Sequence, residues 1–266
     1  VQRVDPKVYL IGESRMIQQP TEDVPGLQEY LHDVGAEDWG SDAGSDVELL
    51  PEVYGRLCYR SWAAGLNPNV TKIREGNDVY LKNVIDVKHG SVTEHSSVNF
   101  IFHNVSRVFT HELCRHRVGV AISQESLRYV RLDALRAWVP TCLASDEWAM
   151  AKFKEVYEHL ERVQLELAEH FKIDEMKNFS DKKKLTSAFR RLAPEGLATS
   201  IGWSANIRTL RFVLALRTHR SAEEEIRLVF DEVGKILLTR YPNLFSDFQR
   251  EEFEGIGEWT TPNSKI

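Results

Sequence analysis

The chain has 266 residues, 42% of them hydrophobic, enough for one large domain or two small ones with a substantial core. Its formal net charge of −6 argues against a general nucleic-acid binder, because non-specific affinity for a polyanion comes from a basic surface that neutralises phosphates. Three cysteines without paired short spacings suit a reducing, cytoplasmic compartment and exclude a cysteine-only zinc site, and no stretch approaches the roughly 20 apolar residues of a membrane helix.

Along the chain, Val8-Tyr9-Leu10-Ile11 reads as a short strand, and Gln19 to Asp46, rich in acidic residues and glycine, as a polar, partly helical appendage. We therefore divide the chain into an N-terminal strand with its appendage (1–46) and a main domain (47–266). Pro51 marks the start of the first core-packing helix, followed by Val53, Tyr54, Leu57, Cys58 and Ser61. A second helix is predicted from about Lys72 to Lys88. Ser97 to Val105 alternates as a strand, with Val98, Phe100, Phe102 and Asn104 on one face. Ser106 has the character of an N-cap for a helix running through Arg115, burying Phe109 and Leu113 one turn apart. Phe153, Val156, Leu160, Val163, Leu167 and Phe171 predict a core-facing helix of about five turns. The spans Asn206–Arg217 and Ala222–Leu238 repeat the helical pattern.

Arg115-His116-Arg117 is the most informative stretch. Guanidinium groups stay charged at any working pH and fork onto phosphate or carboxylate oxygens, so clustering them is explained by a bound anion; the bland alternative is a solvated basic turn. His111 and His116 are five residues apart, which on a helix turns them about 140° from one another and excludes chelation of one zinc ion. Cys114 adjoins Arg115 and His116 but reads as structural. The chain has neither a dinucleotide fingerprint nor a P-loop, so any nucleotide is held by side chains. Two further polar clusters flank the triplet: the loop His89-Gly90-Ser91-Val92-Thr93-Glu94-His95 upstream, and Arg190, Pro194-Glu195-Gly196, Asn206, Arg208 and Arg217 downstream.

These clusters, in this order, resemble the flavin-dependent thymidylate synthases. The family signature is Arg-His-Arg, seven variable residues and then Ser, usually continuing to Arg-Tyr. Here Arg115-His116-Arg117 precedes Ser126-Leu127-Arg128-Tyr129 with eight residues between. The resemblance runs from about Cys58 to Phe245. It implies an α+β fold, an antiparallel sheet flanked by long helices in a single large domain that assembles as a homotetramer with shared sites. It implies that His89, Ser91, Glu94, Arg115, His116 and Arg117 hold FAD, with Ser61, Asn206 and Arg208 as further flavin contacts. Ser126, Leu127, Arg128 and Arg190 inherit the nucleotide phosphate, and Arg217 the uracil ring. The implied reaction is reductive methylation of a uracil nucleotide at C5, with methylenetetrahydrofolate as carbon donor and NADPH as reductant of FAD.

Four features depart from the family pattern. Besides the extra residue, Glu112 stands where a nucleotide-binding Gln is frequent, Phe212 where a polar residue touches the flavin, and Ser221 where a His is common. The extra residue and Glu112 raise a second reading, a methylase preferring UMP to dUMP. Phe212 and Ser221 raise a third, a flavin- or nucleotide-binding protein without catalysis. The acidic net charge speaks against RNA binding through the arginines.

Overall fold

The computed structural model describes residues 2–127 and 134–264. After a short strand β1 (Gln2–Arg3), β2 (Lys7–Glu13) extends the expected Val8–Ile11 strand and forms one edge of the main sheet. The polar stretch that follows contains α1 (Leu27–Asp33) and shares a small core with the main domain, in which Leu31 and Ala36 pack with Leu49, Val53 and Trp62.

Helix α2 (Asp46–Tyr59) corrects the reading of Pro51 as a helix start. Ser45 is the N-cap, its side chain accepting from the Glu48 amide, and Pro51 lies inside the helix. Proline has no N–H to offer the carbonyl four residues back, which is that of Val47. The Ser96 hydroxyl donates to that carbonyl instead, at 2.8 Å, so the proline is tolerated through a tertiary bond that no local pattern announces. Helix α3 (Asn77–Asp86) is shorter than the expected Lys72–Lys88 because Gly76, at φ +85°, is its N-cap and Lys88, at φ +61°, lies beyond its end.

A 3₁₀ turn, Gly90–His95, leads into β3 (Ser97–Ser106). The expected alternation holds for Val98, Phe100 and Phe102 but breaks at Asn104. That residue is left-handed at φ +59° and forms a bulge, after which Val105 is the fully buried residue. Ser106 caps α4 (Arg107–Leu113) as expected, accepting from Phe109 N at 3.1 Å, but the helix stops two residues before Arg115. The Arg115–Arg117 triplet therefore lies in the connection to β4 (Val120–Gln124).

Beyond β5 (Arg136–Ala137), which pairs in parallel with β1, come α5 (Thr141–Ala144), α6 (Glu147–His170) and α7 (Phe179–Phe189). Helix α6 is not the core-facing helix expected: only Tyr157 and Gln164 are buried. The second core cluster against which Phe153 and Leu160 pack is small, made of Leu127, Leu135, Ala137, Tyr157 and Leu197, so Val156 and Leu165 remain exposed.

Strand β6 (Ala198–Asn206) returns to the main sheet, which has the order β2-β3-β6-β4 with every pairing antiparallel. Phe100 and Phe102 with Ile201 and Trp203 make its buried face, covered by α8 (Ile207–Arg217) and α9 (Glu224–Arg240) through Leu210, Leu214, Val229, Phe230 and Val233. Side chains of this size contribute roughly 1.5–3 kcal/mol each when fully buried, which makes this the principal core. The chain closes with α10 (Pro242–Phe245) and the hairpin β7 (Gln249–Phe253) and β8 (Ile256–Thr260). Among the described residues no helix is long and apolar enough to cross a membrane.

Glu225, in the first turn of α9, is fully buried and accepts from both the amide of Ser106, at 2.6 Å, and the Ser106 hydroxyl. Burial pushes its carboxyl up to about 7 against the pull of these bonds, and neighbouring Glu223 and Glu112 add to the rise. A carboxyl raised in the folded state favours folding while it is protonated. The contribution is complete below the unfolded value near 4.5 and is lost as pH rises through about 7. Glu225→Gln copies the neutral acid, so its melting temperature should gain on that of the native chain between pH 5 and pH 8; parallel melting curves across that range would contradict the assignment.

Candidate functional site

Most of the expected site residues line three separate concavities. One, of about 430 Å³, lies between the end of α4 and the start of α8 and is lined by Glu94, Arg115, His116, Arg117, Asn206, Arg208 and Phe212. Arg208 is ion-paired with Glu94. Arg115 and Arg117 have no carboxylate within ion-pair distance among the described residues, which leaves this concavity positive. Asn206 lines it while its side chain caps α8, accepting from Thr209 N at 2.8 Å.

A second concavity, about 680 Å³, takes Ser61, His89 and Ser91 together with Arg56 and Tyr59. His89 stacks on Tyr59 with ring centroids 5.9 Å apart. Arg56 is buried and bound to Glu52, and its guanidinium also donates to the carbonyls of Ser61 and Arg74, which fixes this wall. The Gly90–His95 turn divides the two spaces, presenting Ser91 to one and Glu94 to the other.

The third, about 510 Å³, brings Ser126, Leu127 and Arg190 together with Arg107, Arg191, Glu125 and Glu195. Arg107 and Arg191 were not anticipated. Arg107 directly follows the Ser106 cap, so it stands on the first turn of α4, and that adjacency is the signal that could have revealed it. Leu127 is mostly buried in the second core cluster as well as lining this space. Arg128 lies outside the described residues.

Arg217, the last residue of α8, reaches across to α4. Its Nε donates to His116 Nε2 at 2.7 Å, and its terminal nitrogens donate to the Glu112 carboxylate, at 3.1 Å, and the Glu112 carbonyl, at 3.0 Å. Burial, and then the Arg217 charge, hold His116 down at about 4, so the ring is neutral at working pH. Since Nε2 accepts, the proton of the neutral ring sits on Nδ1. Phe212 is half exposed and approaches the edge of the His116 ring. Ser221 bonds His219 Nδ1 at 2.7 Å, in the turn after Arg217.

The family model described as "Thymidylate synthase complementing protein" matches residues 42–243. A flavin-dependent thymidylate synthase of Mycolicibacterium gilvum is 34% identical over 220 residues, covering 80% of this chain and 83% of that protein. The chain belongs to the flavin-dependent thymidylate synthase family. A further flavin-dependent thymidylate synthase, from Mycobacterium marinum, is 33% identical over 251 residues, 91% of this chain and 90% of its own. The fold agrees with that of a UMP/dUMP methylase, PolB, from Streptomyces cacaoi bound with 5-Br dUMP, at a TM-score of 0.60 with 15% identity over 92% of this chain and 95% of that one. It also agrees with that of thymidylate synthase X from Helicobacter pylori with FAD and dUMP, at a TM-score of 0.51 with 21% identity over 75% of this chain and 93% of that one. Flavin-dependent thymidylate synthases are methyltransferases, and this chain is an enzyme of that class.

The eight residues between Arg117 and Ser126 include all of β4, whose register against β6 is unbroken from Val120 to Gln124. Just before it, Gly119 is left-handed at φ +70°, and a Cβ there would stand 2.5 Å from both Asn206 Nδ2 and Thr209 Oγ1. Gly119→Ala should therefore cost about 1–3 kcal/mol, measured by urea denaturation, because backbone strain and a clash with the α8 cap add.

Proposed function

We propose that the chain catalyses FAD-dependent reductive methylation of a uracil nucleotide, dUMP or UMP, at C5, with methylenetetrahydrofolate as carbon donor and NADPH as reductant. The observation that carries this reading is Arg217, held by Glu112 and His116 beside the Arg115–Arg117 concavity. The residues fit the flavin nucleotide: a positive concavity with an exposed phenyl ring suits a ligand that is anionic at one end and flat and apolar at the other. Arg115, His116, Arg117, Glu94, Asn206 and Arg208 would hold it there, and Ser61, His89 and Ser91 would line the adjoining space. When bound, FAD supplies the hydride that the methylation requires.

The chain's own residues supply orientation and charge. Arg217 offers N–H donors next to the Glu112 carboxylate, an acceptor. That side-by-side pair complements the imide edge of uracil, in which an N–H lies beside a carbonyl. Negative charge developing on the ring oxygen is stabilised by the guanidinium, which neutral His116 holds in place. Ser126, Arg107, Arg190 and Arg191 form the phosphate end, with Leu127 as its apolar wall and Arg128 next in sequence. The exposed apolar residues of α6, Trp148, Val156 and Leu165, support a homotetramer in which subunits share sites.

Arg217→Ala should lower turnover by on the order of 10²–10³ while leaving flavin content unchanged. Arg190→Ala should act instead on the KM for the nucleotide. Both are read by parallel assays of methylated product from dUMP and UMP, and full turnover in the Arg217 variant would remove Arg217 from the reaction. Gel filtration of active enzyme should give about four times the 30.6 kDa chain mass; activity at the monomer mass would exclude shared sites.

A further inference from the structure

The chain that follows Arg217 is held from beyond the family-matched region. That region ends at residue 243, and the β7–β8 hairpin comes after it. Strand β8 is seated on α9 by Asp231, which accepts from the Gly257 amide at 3.0 Å, the Trp259 indole at 2.9 Å and Arg250 Nε at 2.7 Å. The seating is close enough to require glycine on both sides. A Cβ at Gly234 would stand 2.4 Å from the Trp259 ring, and one at Gly257 would stand 2.2 Å from Asp231.

From this seat two contacts reach the residues after Arg217. The Trp259 amide donates to Thr218 Oγ1 at 2.9 Å, and Thr218 is the fully buried C-cap of α8. Glu258, only 4% exposed, accepts from Arg220 Nε at 2.9 Å, is ion-paired with Arg220 Nη2 at 2.8 Å and lies 3.8 Å from His219 Nε2. Arg220 also stands over the Phe253 ring of β7, 5.0 Å from its centroid.

We propose that this hairpin is a positioning element for Arg217, with Glu258 as its working residue. The inference rests on the reading of Arg217 as the group that faces the acceptor ring. Last turns of helices fray because their carbonyls lack intrahelical partners, and Arg217 is in that last turn. Pinning Thr218 and Arg220 from β8 stops the fraying at its source, so the Arg217 guanidinium keeps its place against Glu112 and His116. A displacement of about 1 Å in a group that acts on developing charge costs up to about 10²-fold in rate, far more than the same displacement costs in binding or stability. The hairpin thus acts on kcat through a residue it does not itself touch.

The test uses the full-length holoenzyme. Glu258→Gln keeps the shape and one acceptor oxygen but loses the charge, and Arg220→Met removes the pair from its exposed end. Each should lower kcat roughly tenfold with the nucleotide KM and flavin content unchanged. Amides of residues 218–222 should exchange faster while those of α9 do not, Glu258→Asp should recover part of the rate, and the double variant should be no slower than the slower single one. Unchanged kcat in both variants, beside an impaired Arg217→Ala enzyme, overturns the inference. So does a joint loss of flavin, KM and α9 protection, which marks general destabilisation. If Arg217→Ala itself turns over normally, the reading of Arg217 fails instead, and the exchange data alone report on the hairpin. Should the Glu258 variant not fold, Arg220→Met decides.

Discussion

The placement of both arms of the site depends on carboxylates buried along α9. A carboxylate taken out of water is costly unless donors surround it, so each such group forces its neighbours into place. Glu225 fixes Ser106, and with it the start of the helix that carries Arg107 and Glu112 and delivers Arg115 to Arg117. Asp231, six residues on, fixes the hairpin. Burial works against its ionisation, yet the donors from Arg250, Trp259 and Gly257 outweigh that and hold the carboxyl well below the usual carboxylate range. One helix thereby references the triplet at one end and the turn after Arg217 at the other.

The site combines concentrated positive charge with very few internal neutralising partners. Glu94 neutralises Arg208 and Glu112 neutralises Arg217, whereas Arg115 and Arg117 face the open concavity. In a chain of net charge −6, such a local excess of positive charge is the feature that suits an anionic ligand. His116 illustrates the opposite tactic. Half-buried beside the Arg217 guanidinium, it stays neutral and serves as an acceptor, so one member of a formally basic triplet does the work of a backbone carbonyl.

Much of the fold was legible because the relevant forces are local. Ser106 read as a cap from its own side chain and the apolar spacing behind it, and it caps in the structure. What was illegible depended on partners distant in sequence. Pro51 looked like a first-turn proline because Ser96, which accommodates it, is far along the chain. The α6 stripe looked like a core stripe because periodicity records which face is apolar, not what covers it. For the site, motif and order brought out the arginines and the 89–95 loop, but Arg107 hid beside a cap. Glu225 and Glu258 hid as acidic residues in an acidic chain, since nothing in a glutamate's neighbours announces that it will be buried.

The proline inside α2 has a consequence beyond that helix. By withholding one N–H it leaves the Val47 carbonyl as an address that a hydroxyl from elsewhere can occupy, and Ser96 occupies it. The carbonyl of the same serine receives the amide of Ile207, the first residue of α8. A single residue thus serves as the common fixed point for the first core helix, for the partition between two concavities and for the helix that ends in Arg217. Any sideways movement of one is shared by all three, so these spaces change shape together or not at all.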